Sequence, residues 1–157
     1  MGVPAGAKRW NTSSEQPVQY LARVTDEELA DLYAGSSCVV AASLLEGFCL
    51  PIIEAFGFGT PVIASNLDPM QEIAGGAALL VSPLQVHELA AAMLLIVTDK
   101  RIAQELVEKG RLRLQDFSSE IMAKALLGLY QRVLGTQPED DLVPLPRVEP
   151  QTATVMQ

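Results

Sequence analysis

The chain has 157 residues, of which 49% are hydrophobic and 19% are charged, and this is enough for one domain with a hydrophobic core. Its 19 acidic side chains outnumber the 11 basic ones and give a formal net charge of -8, which argues against a nucleic-acid partner. No run approaches the roughly 18 apolar residues of a membrane span, and the polar residues 1–16 lack the apolar region of a signal peptide. We therefore expect a single-domain cytoplasmic protein that neither crosses a membrane nor binds nucleic acid.

Three stretches of the chain differ in composition. Residues 1–16 show no hydrophobic period and are predicted to be a leader or loop. Residues 17–135 carry regular strand and helix patterns and are predicted to form the folded domain. Residues 136–157 combine prolines with mixed charge and are predicted to be a disordered tail. The two cysteines, Cys38 and Cys49, lie in apolar or loop-to-helix stretches, so neither a disulfide scaffold nor a zinc site is expected.

Within the predicted domain, short apolar runs rich in β-forming residues alternate with helical patterns. The four runs cover residues 18–24, 38–43, 61–65 and 78–81. Such alternation predicts an α/β fold, with a parallel sheet of about four strands covered by helices. Ligands of these sheets bind where strands end and helices begin, so the informative loops are those after Ala22, Ser43 and Ser65.

Several helix boundaries are predicted from local signals. Thr25 and Glu28 form a capping box at the start of the first helix, and Asp68 and Ser82 are expected to cap two later helices. A further helix is predicted over residues 100–109, ended by Gly110. The last helix, over residues 119–134, has a wide apolar face.

The loop after the second predicted strand combines two carboxylates with a helix start. Pro51 fits the first turn of a helix, where unpaired amides and the helix dipole favour phosphate or sugar oxygens. Glu46 lies at the loop entrance and Glu54 one turn into the helix. A carboxylate in an anion-binding crevice is costly unless it accepts hydroxyl hydrogen bonds. Ribose or sugar hydroxyls supply such donors, whereas the plain alternative is two solvated surface glutamates.

This loop and its surroundings resemble a known enzyme family. The matching blocks are V-Q-Y-L-A-R-V-T-D-E-E-L-A-D-L-Y-A, S-L-L-E-G-F-C-L-P-I-I-E-A with two glutamates separated by seven residues, G-T-P-V-I-A-S and Q-E-I-A-G-G-A-A-L-L-V-S-P. They resemble the donor-binding, C-terminal domain of retaining glycosyltransferases with two Rossmann-like domains (the GT-B type, group 1 or family 4). That family includes sucrose synthases, glycogen synthases and bacterial mannosyl- and glucosyltransferases. The resemblance implies that residues 17–135 are an incomplete Rossmann-like domain, half of a GT-B architecture.

The resemblance also implies a role for each matched residue. Glu54 would bind the ribose hydroxyls of a UDP-, GDP- or ADP-sugar, and Glu46 would be the catalytic residue that contacts the transferred sugar. Glu72 lies where the family often has a further glutamate near the donor. The motif requires no metal and no cofactor. The remaining donor-binding positions are the amides of Gly47, Phe48, Cys49 and Leu50 at the sugar and diphosphate, and the backbone of Arg23 and Val24 beside the base.

The chain departs from the family pattern in several ways. Cys49 replaces a common glycine, and Ser119 replaces a common tryptophan. Nothing in residues 1–16 matches the two strands, the arginine and the lysine that the family has ahead of the first block. We therefore expect a truncated donor domain that contributes part of a site, has no turnover alone and has an acceptor-domain chain as a candidate partner. The alternative function is that of a non-catalytic remnant or subunit that binds a nucleotide sugar. His87 is expected to have only a surface or packing role.

Overall fold

The computed structural model describes residues 20–135, and in them three short strands form one parallel sheet. The strands are β1 (Val39–Ala41), β2 (Val62–Ser65) and β3 (Ala78–Val81), in the order β1-β2-β3. Val40 pairs with Ile63, and Ile63 with Leu79. The predicted leader (residues 1–16) and tail (residues 136–157) lie outside the described residues.

Helices connect the strands and cover both faces of the sheet, as parallel pairing requires. They are α1 (Asp26–Gly35), α2 (Leu50–Phe58), α3 (Met70–Ala74), α4 (Val86–Thr98), α5 (Lys100–Leu114) and α6 (Ser119–Val133), with a 3-10 turn at Gln115–Phe117. Ile52 and Phe56 of α2 pack with Val62 of β2 on one face. Ile63 packs with Ile96 of α4 on the other face. All four residues of β2 are buried because the strand lies between two neighbours and under helices on both sides.

The α/β class is confirmed, but the sheet of the described residues has three strands rather than about four. The strand predicted over residues 18–24 is wrong for the part that is described, because residues 20–24 form no strand and approach α1 as irregular chain. Tyr20 and Leu21, which would have packed against a helix, are 65% and 45% exposed. Without burial or a neighbouring strand, the β-forming residue types of this segment do not produce a strand.

The helix boundaries divide into those set locally and those set by tertiary contacts. The capping box at α1 is confirmed, with the Glu28 amide donating to Thr25 Oγ1 and the Thr25 amide to Glu28. The side-chain caps predicted at Asp68 and Ser82 are wrong, because α3 begins at Met70 and α4 at Val86, each without a side-chain cap.

Gly110 does not end α5, which continues to Leu114. A Cβ at this position would lie 2.6 Å from Cδ1 of Phe56, closer than real contacts allow. The glycine therefore permits α5 to approach α2, and this packing function prevails over the helix-ending tendency of glycine. The same contact fixes the position of α2, the helix that carries Glu54.

Candidate functional site

The loops after β1 and β2 meet at the carboxyl edge of the sheet. The Ser65 hydroxyl, at the end of β2, donates to the backbone carbonyl of Ser43 at 2.7 Å. Ser65 is fully buried, so this hydrogen bond anchors the beginning of the loop that leads to α2. Two of the three loops selected from the sequence therefore lie together, at the edge where parallel α/β sheets bind ligands.

Glu54 is held by a buried tyrosine. Tyr33, in α1, donates from its phenol to Glu54 Oε2 at 2.7 Å and is only 8% exposed. The Tyr33 ring stacks on Phe58, with 5.6 Å between ring centroids. Burial raises the pKa of the Tyr33 phenol well above its ordinary value, and the hydrogen bond to Glu54 and its charge raise it further. The phenol therefore stays protonated and remains a donor, while Glu54, half-buried on α2, keeps Oε1 without a donor from residues 20–135.

Glu46 has a different environment. It lies on the exposed loop between β1 and α2, and the Ser43 hydroxyl donates to its Oε1 at 2.8 Å. This contact spans three residues of the same loop and includes no buried partner. The Glu46 carboxylate is therefore solvated and locally held, whereas the Glu54 carboxylate is anchored to the core.

Cys49, immediately before α2, has a left-handed backbone. Its φ of 64° makes it the only non-glycine residue with positive φ in the described part of the chain. This conformation disfavours side chains with a Cβ, which explains why a glycine would suit the position better. Burial raises the pKa of the Cys49 thiol and the Glu46 charge raises it further, whereas the Ile52 amide acts in the opposite direction. The thiol is therefore a poor nucleophile at neutral pH.

The start of α2 offers backbone amides to an anion. No side chain caps this end, and Pro51 occupies its first turn. Pro51 has no N–H and the Ile52 amide donates to the Cys49 carbonyl at 3.1 Å, so the amides that precede Pro51, together with the helix dipole, are the groups that favour a phosphate or a sugar oxygen. Leu50 is 61% exposed, so the helix end is accessible to a ligand.

Phe48 is supported by residues that sequence analysis did not select. Its ring, 41% exposed, meets the Phe117 ring edge to face at a centroid distance of 5.8 Å. The Arg113 guanidinium lies over Phe117, 4.7 Å from the ring centroid. Arg113 also donates to the backbone carbonyls of Glu72 and Ile73, at 2.9 and 3.1 Å. The two Arg113 hydrogen bonds span 40 and 41 positions and the Phe48–Phe117 contact spans a longer stretch still, so no local pattern could have indicated them.

The predicted site residues are therefore only partly brought together. Glu46, Gly47, Phe48, Cys49, Leu50 and Glu54 follow one another from the loop into the first turns of α2. Arg23 and Val24 lie in the irregular chain before α1, and no hydrogen bond within residues 20–135 joins them to the α2 loop. Their role beside a base stays a prediction. His87 is exposed at the start of α4.

Residues 20–135 contain neither a cluster of metal ligands nor a membrane-spanning helix. Within this range no group of three or more His, Cys, Asp or Glu side chains is arranged to hold a metal ion. In the same part of the chain, no helix is long and apolar enough to span a bilayer.

Comparison with known proteins identifies the class to which this fold and loop belong. The chain belongs to the family described as glycosyl transferases group 1, which its residues 8–113 match. The three-stranded sheet and its helices correspond to half of a GT-B fold. The resemblance of the sequence to this family is thus confirmed.

Individual relatives show how much of the architecture the chain covers. It is 33% identical to O-antigen chain mannosyltransferase B of Escherichia coli over 73% of this chain and 30% of that protein. It is 35% identical to MMP alpha-(1->4)-mannosyltransferase of Mycolicibacterium hassiacum over 71% of this chain and 28% of that protein. The structure of sucrose-phosphate synthase from Thermosynechococcus elongatus matches 76% of this chain and 31% of that one, with a TM-score of 0.68 and 33% identity. The chain thus spans less than a third of these relatives.

Proposed function

We propose that this chain supplies part of the nucleotide-sugar site of a retaining glycosyltransferase. The reaction would move a hexose from a UDP-, GDP- or ADP-sugar to an acceptor hydroxyl with the anomeric configuration retained. The observation that carries the proposal is the position of Glu46 before and Glu54 after the uncapped start of α2, with Glu54 anchored by Tyr33. Membership of the group 1 family supports it.

Each part of the loop has a function suited to its chemistry. Glu54, half-buried and held by Tyr33, accepts hydrogen bonds from the ribose hydroxyls through the lone pairs that the Tyr33 phenol leaves open. The amides from Gly47 to Leu50 bind the sugar and diphosphate oxygens. Glu46 contacts the hydroxyls of the transferred sugar, and the backbone near Arg23 and Val24 borders the base.

Catalysis in this proposal depends on positioning of the donor rather than on a covalent intermediate between the sugar and a side chain of this chain. The loop orients the donor, and its amides stabilise the charge that develops on the departing diphosphate. No metal or cofactor has a role in the proposed reaction, for which the nucleotide sugar is a substrate. An acceptor-binding domain, on a partner chain if not on this one, binds the acceptor and forms the other side of the site. We place the reaction in the cytoplasm.

A second candidate function is a non-catalytic nucleotide-sugar-binding module. One observation favours it: Cys49 has a left-handed backbone at a position where the resemblance expects glycine. A Cβ at that position limits how closely a donor can approach the backbone. A donor-hydrolysis assay with and without candidate acceptor-domain chains separates the two functions, because only the enzyme gains turnover when its partner is added.

The direct test is a titration of the chain with UDP, GDP and ADP at low salt. Calorimetry measures the affinity, and amide chemical shifts identify the residues that respond. We expect one nucleotide to shift the amide signals of residues 47–50 and to bind with an affinity weaker than micromolar. The net charge of -8 and the carboxylates of Glu46 and Glu54 oppose the binding of a diphosphate. Micromolar binding would contradict the expected weakness. Absence of a shift with all three nucleotides at millimolar concentration would contradict the proposed site.

A further inference from the structure

Tyr33 is the one buried tyrosine in residues 20–135, and the proposed function uses it only as the anchor of Glu54. Tyr20 and Tyr130 are 65% and 57% exposed, whereas Tyr33 is 8% exposed. A phenol in the core normally needs a hydrogen-bond partner, and this one uses the carboxylate of Glu54, 21 residues further along the chain. The partner is therefore the glutamate to which the proposed function assigns the ribose.

The contacts around Tyr33 restrain its ring and its backbone. The ring stacks on Phe58 with an interplanar angle of 6°. The backbone carbonyl of Tyr33 accepts the Thr60 hydroxyl at 2.7 Å and the Ser36 amide at 3.2 Å. Thr60 is itself 3% exposed, so these contacts belong to the core rather than to the surface. Of the two side chains, the phenol is therefore the more restrained one, and it holds the more flexible glutamate side chain.

We infer that Tyr33 is a positioning residue for Glu54, and that its phenol sets how strongly the site prefers a nucleotide with ribose hydroxyls. This inference rests on the proposed function. The phenol holds Oε2 in one place, so that Oε1 and the second lone pair of Oε2 are presented to the ribose in a single orientation. Fixing a side chain before the ligand arrives reduces the ordering cost of binding. Because the raised pKa keeps the phenol protonated, it acts as a donor throughout the neutral range.

The test compares dissociation constants for ribonucleoside diphosphates and their 2′,3′-dideoxy counterparts on the full chain. UDP, GDP and ADP are screened first, and the tightest is compared with its dideoxy form by chemical-shift titration. The measured quantity is the ratio of the dideoxy constant to the ribose constant, which reports the hydroxyl contacts alone. We expect Tyr33→Phe, which keeps the ring and removes the hydroxyl, to lower this ratio by about three- to tenfold.

Two control variants separate positioning from general structural damage. Tyr130→Phe removes an exposed phenol and is expected to leave the ratio unchanged. Asp99→Ala removes the cap of α5, where Asp99 accepts the amides of Arg101 and Ile102, and lowers stability at a distance from the site. It is also expected to leave the ratio unchanged. A fall in the ratio with Asp99→Ala equal to that with Tyr33→Phe would overturn the inference.

Glu54→Gln distinguishes failure of this inference from failure of the proposed function. If Glu54→Gln leaves the ratio unchanged, Glu54 does not bind the ribose and the proposed function is wrong. If Glu54→Gln lowers the ratio but Tyr33→Phe does not, only the positioning role is wrong. In the double variant we expect Tyr33→Phe to add no further loss, because its effect passes through Glu54; full additivity would overturn the inference.

A measurement on the unaltered Tyr33 covers the case in which Tyr33→Phe does not fold. Tyrosine labelled with carbon-13 at Cζ reports the hydrogen bond of each phenol, and Tyr20→Phe and Tyr130→Phe identify the Tyr33 signal by elimination. We expect that signal to shift when the ribonucleotide binds, because Glu54 then shares its charge with the ribose, and to shift less with the dideoxy form. Equal shifts with both ligands would contradict the inference.

Discussion

Helices α2 and α6 show how differently two apolar helices can be used in one chain. The nine-residue α2 buries Ile52, Ala55 and Phe56. The fifteen-residue α6 buries no residue, although Met122, Tyr130 and Val133 are apolar or aromatic and 68%, 57% and 77% exposed. The apolar face predicted for α6 exists, but within residues 20–135 nothing covers it enough to bury a side chain.

The difference comes from the surroundings of the two helices. α2 packs between α1 and α5 and against the sheet, and Gly110 lets α5 approach Phe56 closely. α6 packs against the 3-10 turn and is otherwise supported by local contacts, such as the Ser118 cap and the exposed Lys124–Glu120 ion pair. Exposed pairs of this kind contribute little stability. Periodicity therefore shows which face of a helix can be buried, and neighbouring elements decide whether it is.

The largest expected effect tests this contrast through stability. Ile52→Ala should lower the free energy of unfolding by about 2–5 kcal/mol, because it empties a fully buried site in α2. The matched variant Leu126→Ala, on α6 where the leucine is 46% exposed, should change it by less than about 0.5 kcal/mol. Urea unfolding of both variants measures the difference. Equal losses would mean that α6 is as well packed as α2.

The next prediction compares Glu54, which lies on α2, with Glu46, which lies on the exposed loop. In an enzyme assembled with its acceptor domain, Glu54→Gln should weaken nucleoside diphosphate and donor binding alike by about 1–3 kcal/mol, because charged hydrogen bonds to the ribose are lost. Glu46→Gln should leave diphosphate binding nearly unchanged and lower turnover, because its contacts strengthen as the glycosidic bond breaks.

Dissociation constants of the diphosphate for both variants check this division of roles. Equal weakening by Glu54→Gln and Glu46→Gln would contradict it. No weakening by either would favour the simpler interpretation of two solvated glutamates.

The smallest expected effect concerns the residue before α2. Cys49→Gly should be more stable than Cys49→Ala by about 1 kcal/mol, because both remove the thiol and only glycine adopts positive φ without strain. Thermal unfolding measures the difference between the two variants. The control is Leu45 in the same loop, which is 84% exposed, caps no helix and has an ordinary negative φ. There Leu45→Gly should show no advantage over Leu45→Ala, and an equal advantage would point to a general glycine effect rather than to the backbone of Cys49.

The parts of the fold that could be predicted are those set by local chemistry or by continuous apolar runs. The runs at 38–43, 61–65 and 78–81 contain β1, β2 and β3, and the capping box at Thr25 formed as expected because it uses only neighbouring residues. The strand over 18–24 failed because its residue types favour a strand but its described side chains, apart from the half-buried Val24, remain exposed. The end predicted at Gly110 failed because a contact from Phe56 gives that glycine another function.

Only the site residues that lie close together in the sequence could be predicted. The spacing of Glu46 and Glu54 and the resemblance around them selected the loop and the start of α2, whereas their assigned roles stay predictions. The sequence could not indicate Tyr33, because its contact with Glu54 spans 21 residues and has no characteristic spacing. Phe117 was missed for the same reason.

The Arg113 contacts have a consequence for how the molecule moves. The guanidinium joins the last turn of α5 to the carbonyls that end α3, an ion pair to Asp116 holds it from the other side, and it lies over Phe117, which touches Phe48. α3, the end of α5 and the ring beside the α2 loop are thereby linked into one mechanical unit. We therefore expect any reorientation of α6 against the sheet to pivot at Ser118, after Phe117, and to leave the loop between β1 and α2 in its present shape.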